Sequence, residues 1–318
     1  MQKRSDYLST SRSRMVQLAS FGGPELLDIV DVPAPQAGPG QLRVRVASAG
    51  LNPMDWFMTA DAATAARFGL TLPAGFGTDY AGVVDQVGDG VTDFAPGDRV
   101  FGGALSRAVA DLDVVTATGS TAANEAHHTP DGVDDRTAAT LTIAGRTASA
   151  ALAVVEVGPD DTVLVGGAAG GVGLFVVQLA RIAGARVIGT GSATSADFLR
   201  ELGAEPVAYG DGLPDRVRAL APGGISAAFD LHGTETAHAA RALGVADARI
   251  ATIAAQVAGI TPANGANAAP GALEKLAHLI ATCRLRVPIA ARFPIEQIRT
   301  AVKLQAGRHV KGKVVIDL

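Results

Sequence analysis

Gly167, Gly170 and Gly173 follow the apolar run Thr162-Val163-Leu164-Val165 and precede Leu174-Phe175-Val176-Val177-Gln178-Leu179-Ala180. An apolar stretch that stops at regularly spaced glycines and resumes with a helical rhythm predicts strand, tight turn and helix. Such a turn is suited to phosphate. Glycine permits the sharp reversal, removes the Cβ that would hold a pyrophosphate away, and lets the helix pack close to the strand. The unpaired N–H groups at the helix start then face the anion. The residues expected to line a dinucleotide are Gly167, Ala168, Gly170, Gly171, Val172 and Gly173. A merely structural turn is the alternative in a chain with 38 glycines, but Gly184–Thr190 reads as a second strand and completes a βαβ unit.

The elements around this turn fall into two regimes. From Met15 to about Val133, short strands at 15–18, 26–30, 41–49, 82–87 and 98–101 alternate with Pro/Gly clusters, which predicts a mostly β lobe. From about Asp134, helices alternate with strands at 162–166, 186–190, 206–210, 226–231 and 249–254, the rhythm of a doubly wound parallel sheet. A helix at 271–284 precedes strands at 285–293 and 313–318 that flank a helix at 294–306, and this last segment is expected to rejoin the β lobe. The expected division is therefore a disordered tail at 1–14, a β-rich domain at 15–133, a nucleotide-binding domain at 134–284 and a returning segment at 285–318. The run Gln256–Thr261 is β-prone and is expected to extend the parallel sheet and pair with a second copy, giving a homodimer.

Composition narrows the partners. With 318 residues, 48% of them hydrophobic, the chain can build two cores. A formal charge of −4 offers no electrostatic footprint for nucleic acid or an anionic membrane, so a small-molecule substrate is expected. A single cysteine, Cys283, excludes an internal disulfide framework and fits a reducing, cytoplasmic setting. No apolar run reaches the ~18 residues of a spanning helix.

Six segments, in order, resemble the zinc-free quinone oxidoreductase (zeta-crystallin-like) branch of the medium-chain dehydrogenase/reductase superfamily. They are Gly50–Asp55 (GLNPMD), Gly77–Val84 (GTDYAGVV), Phe94–Val100 (FAPGDRV), Ile143–Ala148 (IAGRTA), the glycine turn and His309–Val315 (HVKGKVV). The resemblance implies an α/β fold: a GroES-like β-rich catalytic domain, a Rossmann domain, and a nicotinamide site in the cleft between them. Lys313 of the last segment stands among the implied cofactor-binding residues.

Zinc-dependent relatives hold the metal with a cysteine, a histidine followed by glutamate, and a further ligand. Here those places carry Asn52 and Thr78-Asp79, with no third thiol. A catalytic zinc needs three N, S or O ligands and an open position, so no zinc is expected. The pair His127-His128 reads as a solvated loop, since adjacent side chains do not share a helix face. Without a metal to polarise an alcohol, reduction of an already electrophilic quinone or α,β-unsaturated carbonyl is the easier chemistry.

Cofactor choice turns on Thr190-Gly191-Ser192-Ala193-Thr194, which lacks the carboxylate that binds a ribose 2′-OH. Small hydroxyls at Thr190 and Ser192 accommodate a 2′-phosphate, and Tyr209 matches a family tyrosine near that group, although it also fits a packing aromatic at a strand end. NADPH is thus expected over NADH, even though the lysine common a few residues after the small hydroxyl is absent.

At the acceptor end, the resemblance places Asn52 beside the nicotinamide, where its amide donates to the substrate carbonyl; turn chemistry before Pro53 is the alternative. Asp55 is expected to orient nearby backbone, Thr142 to line the site, and Asp79 to brace the turn. Trp56-Phe57-Met58 stands where relatives often carry a tyrosine, which leaves solvent as the proton source and an apolar wall for flat acceptors. Substrate identity is expected in Gly102–Asn124. An enoyl-thioester or tailoring ene-reductase remains open, as does a non-catalytic nucleotide-binding sensor.

Overall fold

The computed structural model describes residues 12–117 and 124–318. In the N-terminal part, strands β1 (Arg12–Leu18), β2 (Leu27–Pro33) and β3 (Gln41–Leu51) lead into short helices α1 (Pro53–Met58) and α2 (Ala62–Arg67). Strands β4 (Ala74–Gly75), β5 (Asp79–Val87), β6 (Arg99–Ala104), β7 (Leu112–Thr116) and β8 (Asn124–His128) follow. Helices α3 (Asp135–Ala138) and α4 (Thr142–Val155) then lead to β9 (Thr162–Gly166), α5 (Gly173–Ile182), β10 (Arg186–Gly191), α6 (Ala196–Leu202) and β11 (Glu205–Ala208). The chain continues through α7 (Leu213–Leu220), β12 (Ala227–Asp230), α8 (Glu235–Ala242), β13 (Ile250–Thr252) and α9 (Ala272–Ala281), and ends with β14 (Ile289–Pro294), α10 (Ile298–Ala306) and β15 (Lys313–Asp317).

The five parallel strands run in the order β11-β10-β9-β12-β13, a doubly wound sheet with the glycine turn leaving its central strand. Side chains alternate along β9 as the pleat requires: Val163 and Val165 pack with Leu174 and Phe175, whereas Leu164 packs on the opposite face with Val217 and Ala240. Each such fully buried side chain contributes roughly 1.5–3 kcal/mol. Strands β3, β5, β6 and β8 join the last two strands in a second sheet, β14-β15-β3-β5-β6-β8, to which β7 adds on β3, and β2-β1-β4 form a third. Strand β15 pairs antiparallel with β3, joining Val314 to Leu51 and Ile316 to Ala49, so the last strand does return to the N-terminal sheet. Among the described residues no helix is long and apolar enough to cross a membrane.

Two expectations are corrected. Residues 12–14 were expected in a disordered tail, yet they belong to β1, where Arg12 pairs with Pro33 and the buried Ser13 hydroxyl accepts from Leu112 N at 3.1 Å. Residues 1–11 lie outside the described part. Gln256–Thr261 forms no strand: Ile260 N bonds Val257 O at 3.0 Å in a turn, and Pro262, without an N–H to donate, meets Thr252 in an isolated bridge. Ala263 N then bonds Thr252 O at 2.7 Å, so a loop, rather than the strand expected at 256–261, meets the β13 edge at Thr252.

Candidate functional site

The glycine turn has two faces with different tolerance for side chains. Gly167 sits at φ +67°, a left-handed conformation that glycine adopts without strain. At Gly173 a Cβ would lie 2.3 Å from Gly167 O and 2.6 Å from Ala168 O, so the helix start is packed on the turn backbone. The outer face is open: a Cβ on Gly170 would meet only Gly167 O at 3.3 Å, and one on Gly171 only the Lys313 stem, at 3.2 Å. Leu174 N donates to Gly170 O at 3.0 Å and Phe175 N to Val172 O at 3.1 Å, so the amides left to face an anion are those of Gly171, Val172 and Gly173. A backbone cradle of this form fits a pyrophosphate, which the Gly167, Gly170, Gly171 and Val172 region would hold.

Lys313 connects that cradle to the acceptor end. It begins β15, lies fully buried, and its Nζ donates to Asn52 Oδ1 at 2.6 Å and to Leu51 O at 3.3 Å, with Asp79 Oδ2 4.0 Å away. Asn52 in turn donates from Nδ2 to Asp79 Oδ2 at 3.0 Å and more weakly to Gly50 O at 3.5 Å. A lysine on one side and a carboxylate on the other fix which way the amide faces. Asp55, three residues along at the start of α1, accepts from Asn52 N at 2.7 Å and from the Thr78 hydroxyl at 2.8 Å. Asp79 uses its other oxygen to accept from Ile143 N at 3.0 Å, which seats the first turn of α4, and Thr142 with it, against the cluster.

Electrostatics follow from burial. Desolvation raises Asp55 to about 7, opposed by the Asn52 N–H bond and reinforced by Asp79. Desolvation likewise raises Asp79 to about 6, held from rising further by Lys313. Burial pulls the Lys313 ammonium down, while Asp79 and Asp55 oppose that loss. The three groups act as one coupled set.

Asn52, Asp55, Thr142 and Lys313 are thus brought together. As folded, the Asn52 amide oxygen accepts from Lys313 and one N–H is given to Asp79, while the second N–H makes only the long 3.5 Å contact with Gly50 O and is the one an acceptor carbonyl could take. The Thr142 hydroxyl is buried and has no hydrogen-bond partner among the described residues. The buried Thr190 hydroxyl accepts from Gly167 N at 3.2 Å and braces the turn. Ser192 bonds Thr194 and Ser195 hydroxyls at 2.9 and 3.0 Å, and Tyr209 is 54% exposed rather than packed.

Sequence reasoning missed two features. His127 is not in a solvated loop: it lies in β8, is largely buried, and its Nδ1 is 2.7 Å from Glu274 Oε1 of α9. Glu125, two residues earlier, pairs with Arg146 of α4 at 2.7 Å. Lys311 reaches across to Thr194 O at 2.7 Å, and its neighbour Gly312 donates to Ala169 O at 3.0 Å. No local periodicity announces these contacts. In the region Gly102–Asn124, where substrate identity was sought, residues 118–123 lie outside the described part.

Residues 38–133 match the family described as the alcohol dehydrogenase GroES-like domain, and residues 171–280 match the one described as zinc-binding dehydrogenase. A quinone oxidoreductase of Pseudomonas aeruginosa is 36% identical over 194 residues, 60% of this chain and 57% of that protein, so the match spans little more than half of the relative. The structure of the quinone oxidoreductase from Coxiella burnetii superposes with a TM-score of 0.85 at 27% identity, covering 97% of this chain and 100% of the other. A mycobacterial protein complexed with NADPH gives 0.84 at 27% identity, covering 96% and 100%. A GroES-like sheet closed by the last strand, a glycine turn on the central strand of a parallel sheet, and these likenesses together mean that the chain belongs to the medium-chain dehydrogenase/reductase superfamily.

Proposed function

We propose that the protein is an NADPH-dependent oxidoreductase that works without zinc and reduces a quinone or the β-carbon of an α,β-unsaturated carbonyl. The observation that carries this reading is the Lys313 ammonium, held 2.6 Å from Asn52 Oδ1 and 4.0 Å from Asp79 Oδ2 where the glycine turn meets the acceptor end. These are the positions at which the resemblance puts metal ligands in zinc-dependent relatives, and a fixed cation already lies among them. When bound, the nicotinamide supplies the hydride. The chain's part is to position and to stabilise charge. Gly170 and Gly171 leave room for phosphates, and the Asn52–Asp79–Ile143 bonds lock α1 and α4 at a fixed separation. Ile143 N is given to Asp79, so the donor that the first turn of α4 offers the oxyanion developing on the acceptor is the Thr142 hydroxyl, which has no partner among the described residues. With Trp56, Phe57 and Met58 on α1, no phenol stands there to deliver a proton, and solvent completes the reduction.

The likeness to quinone oxidoreductases supports this reading. Purified full-length protein, treated with a chelator, should oxidise NADPH in the presence of simple quinones or enones. Loss of that activity on chelation, restored by zinc, would overturn metal independence. Turnover confined to carrier-bound enoyl thioesters would move the reading to an enoyl reductase, and nucleotide binding without any turnover would move it to a sensor. The expected homodimer stands beside this reading, and a single-chain mass by light scattering removes it.

A further inference from the structure

Three consecutive residues of the returning segment touch three different parts of the cofactor groove. Lys311 Nζ donates to Thr194 O at 2.7 Å, Gly312 N donates to Ala169 O at 3.0 Å, and Lys313 lies beside Gly171 on its way to Asn52. Lys311 reaches the loop after β10, whereas Lys313 reaches Asn52. Thr194 lies just beyond β10, and the parallel register that pairs Gly191 with Ala208 makes Ser192 and Tyr209 leave adjacent strands side by side. Lys311 meets that same edge at Thr194, whose hydroxyl bonds the Ser192 hydroxyl at 2.9 Å.

The other charges near that edge are already engaged. Arg200 pairs with Asp197 at 2.7 Å in an exposed helical pair. Arg216 spends its guanidinium on the carbonyls of Ala208, Tyr209, Gly210 and Asp211, closing their loop, and Glu235 accepts from Gly210 N at 2.5 Å. Among the described residues no carboxylate lies within 4.0 Å of Lys311, and its one hydrogen bond leaves two ammonium hydrogens to donate.

From this geometry we infer that Lys311 is the cation that reads the 2′-phosphate of the cofactor, taking the part of the lysine missing after Ser192. It rests on the NADPH reading above and adds a consequence to it. The selecting charge sits on the segment that ends in β15 of the N-terminal sheet, not on the parallel sheet, so recognition of the 2′-phosphate ties the two sheets together. A dianionic group beside an ammonium that no carboxylate compensates gains charge-assisted bonds that a 2′-OH does not.

The test is calorimetric titration of wild type, Lys311→Met and Lys311→Arg with NADPH, NADH, 2′,5′-ADP and 5′-AMP, beside a thermal melt of each. Methionine keeps the apolar stem and removes the charge. Lys311→Met should weaken NADPH and 2′,5′-ADP about tenfold while leaving NADH and 5′-AMP unchanged, and Lys311→Arg should restore most of the loss. In wild type alone, NADPH should raise the melting temperature more than NADH at equal saturation. Equal weakening of all four ligands would make Lys311 a structural strap and overturn the inference, as would a preference for NADPH that survives Lys311→Met. A wild type that binds NADPH and NADH equally would instead overturn the NADPH reading itself.

Discussion

Lys313 and Asn52, 261 residues apart in sequence, meet at 2.6 Å inside the protein, with the ammonium donating to the amide oxygen. This contact makes the closing strand part of the site. Because Lys313 is 2% exposed and Asp79 is fully buried, removing the ammonium leaves the carboxylates of Asp79 and Asp55 without their nearest cation. Breaking a buried pair by deleting one partner costs about 3 kcal/mol or more. Lys313→Met should therefore lower stability by about that amount in a urea melt at neutral pH. A variant as stable as wild type would mean that Lys313 does not balance the buried carboxylates.

The two faces of the glycine turn predict opposite behaviour for two substitutions. Gly173→Ala places a methyl against the backbone oxygens of Gly167 and Ala168, which cannot swing away, so the fold itself should lose ~1–3 kcal/mol. Gly171→Val meets only the Lys313 side chain, which must give by a few tenths of an ångström, and fills the open face. It should melt within a few degrees of wild type yet bind NADPH at least tenfold more weakly. Unchanged NADPH titration of folded Gly171→Val would remove the turn from the binding site.

Stability should also depend on pH in a defined direction. Asp55 and Asp79 titrate at about 7 and about 6 in the folded protein, above the ordinary 3.8 of the unfolded chain, so over that interval the folded state binds more protons. The stability these groups contribute is full below the unfolded pKa and is lost as pH rises through the folded values. Melting temperature should fall from pH ~5 to ~7.5, and Asp55→Asn should flatten that fall. Asp113, also raised to about 7 by burial, keeps the slope from vanishing. A slope identical in wild type and variant would exclude Asp55 as a source.

What the sequence displays depends on distance along the chain. The glycine turn was legible because strand, turn and helix are contiguous, and β9 and β10 lie where their apolar runs place them. The grouping of Asn52, Asp55, Thr142 and Lys313 was available only through resemblance to a family, since their bonds close across as many as 261 residues. Lys311 and His127 were not legible at all: each is polar in a short polar stretch, and only the tertiary approach of Thr194 or Glu274 gives it a partner. Gln256–Thr261 misled for the converse reason, because β propensity was read without Pro262 and the turn at Val257–Ile260.

Asn52 and Thr142 separate the structural task from the chemical one. Asn52 bridges Lys313 and Asp79, so Asn52→Ala takes one hydrogen bond from each of two buried charged groups and should cost about 2 kcal/mol in stability. Thr142 carries a buried hydroxyl without a partner among the described residues, at the first turn of α4 where oxyanion donors are needed. Thr142→Val keeps the branched shape and removes only that hydroxyl, so the melting temperature should stay level or rise. If the hydroxyl meets developing charge, hydride transfer in a single turnover should slow by about 10²-fold while NADPH affinity holds. Rates measured under identical conditions assign the roles: a Thr142→Val enzyme at wild-type speed takes Thr142 out of the chemistry. An Asn52→Ala enzyme that stays stable but turns over slowly would return the donor role to Asn52.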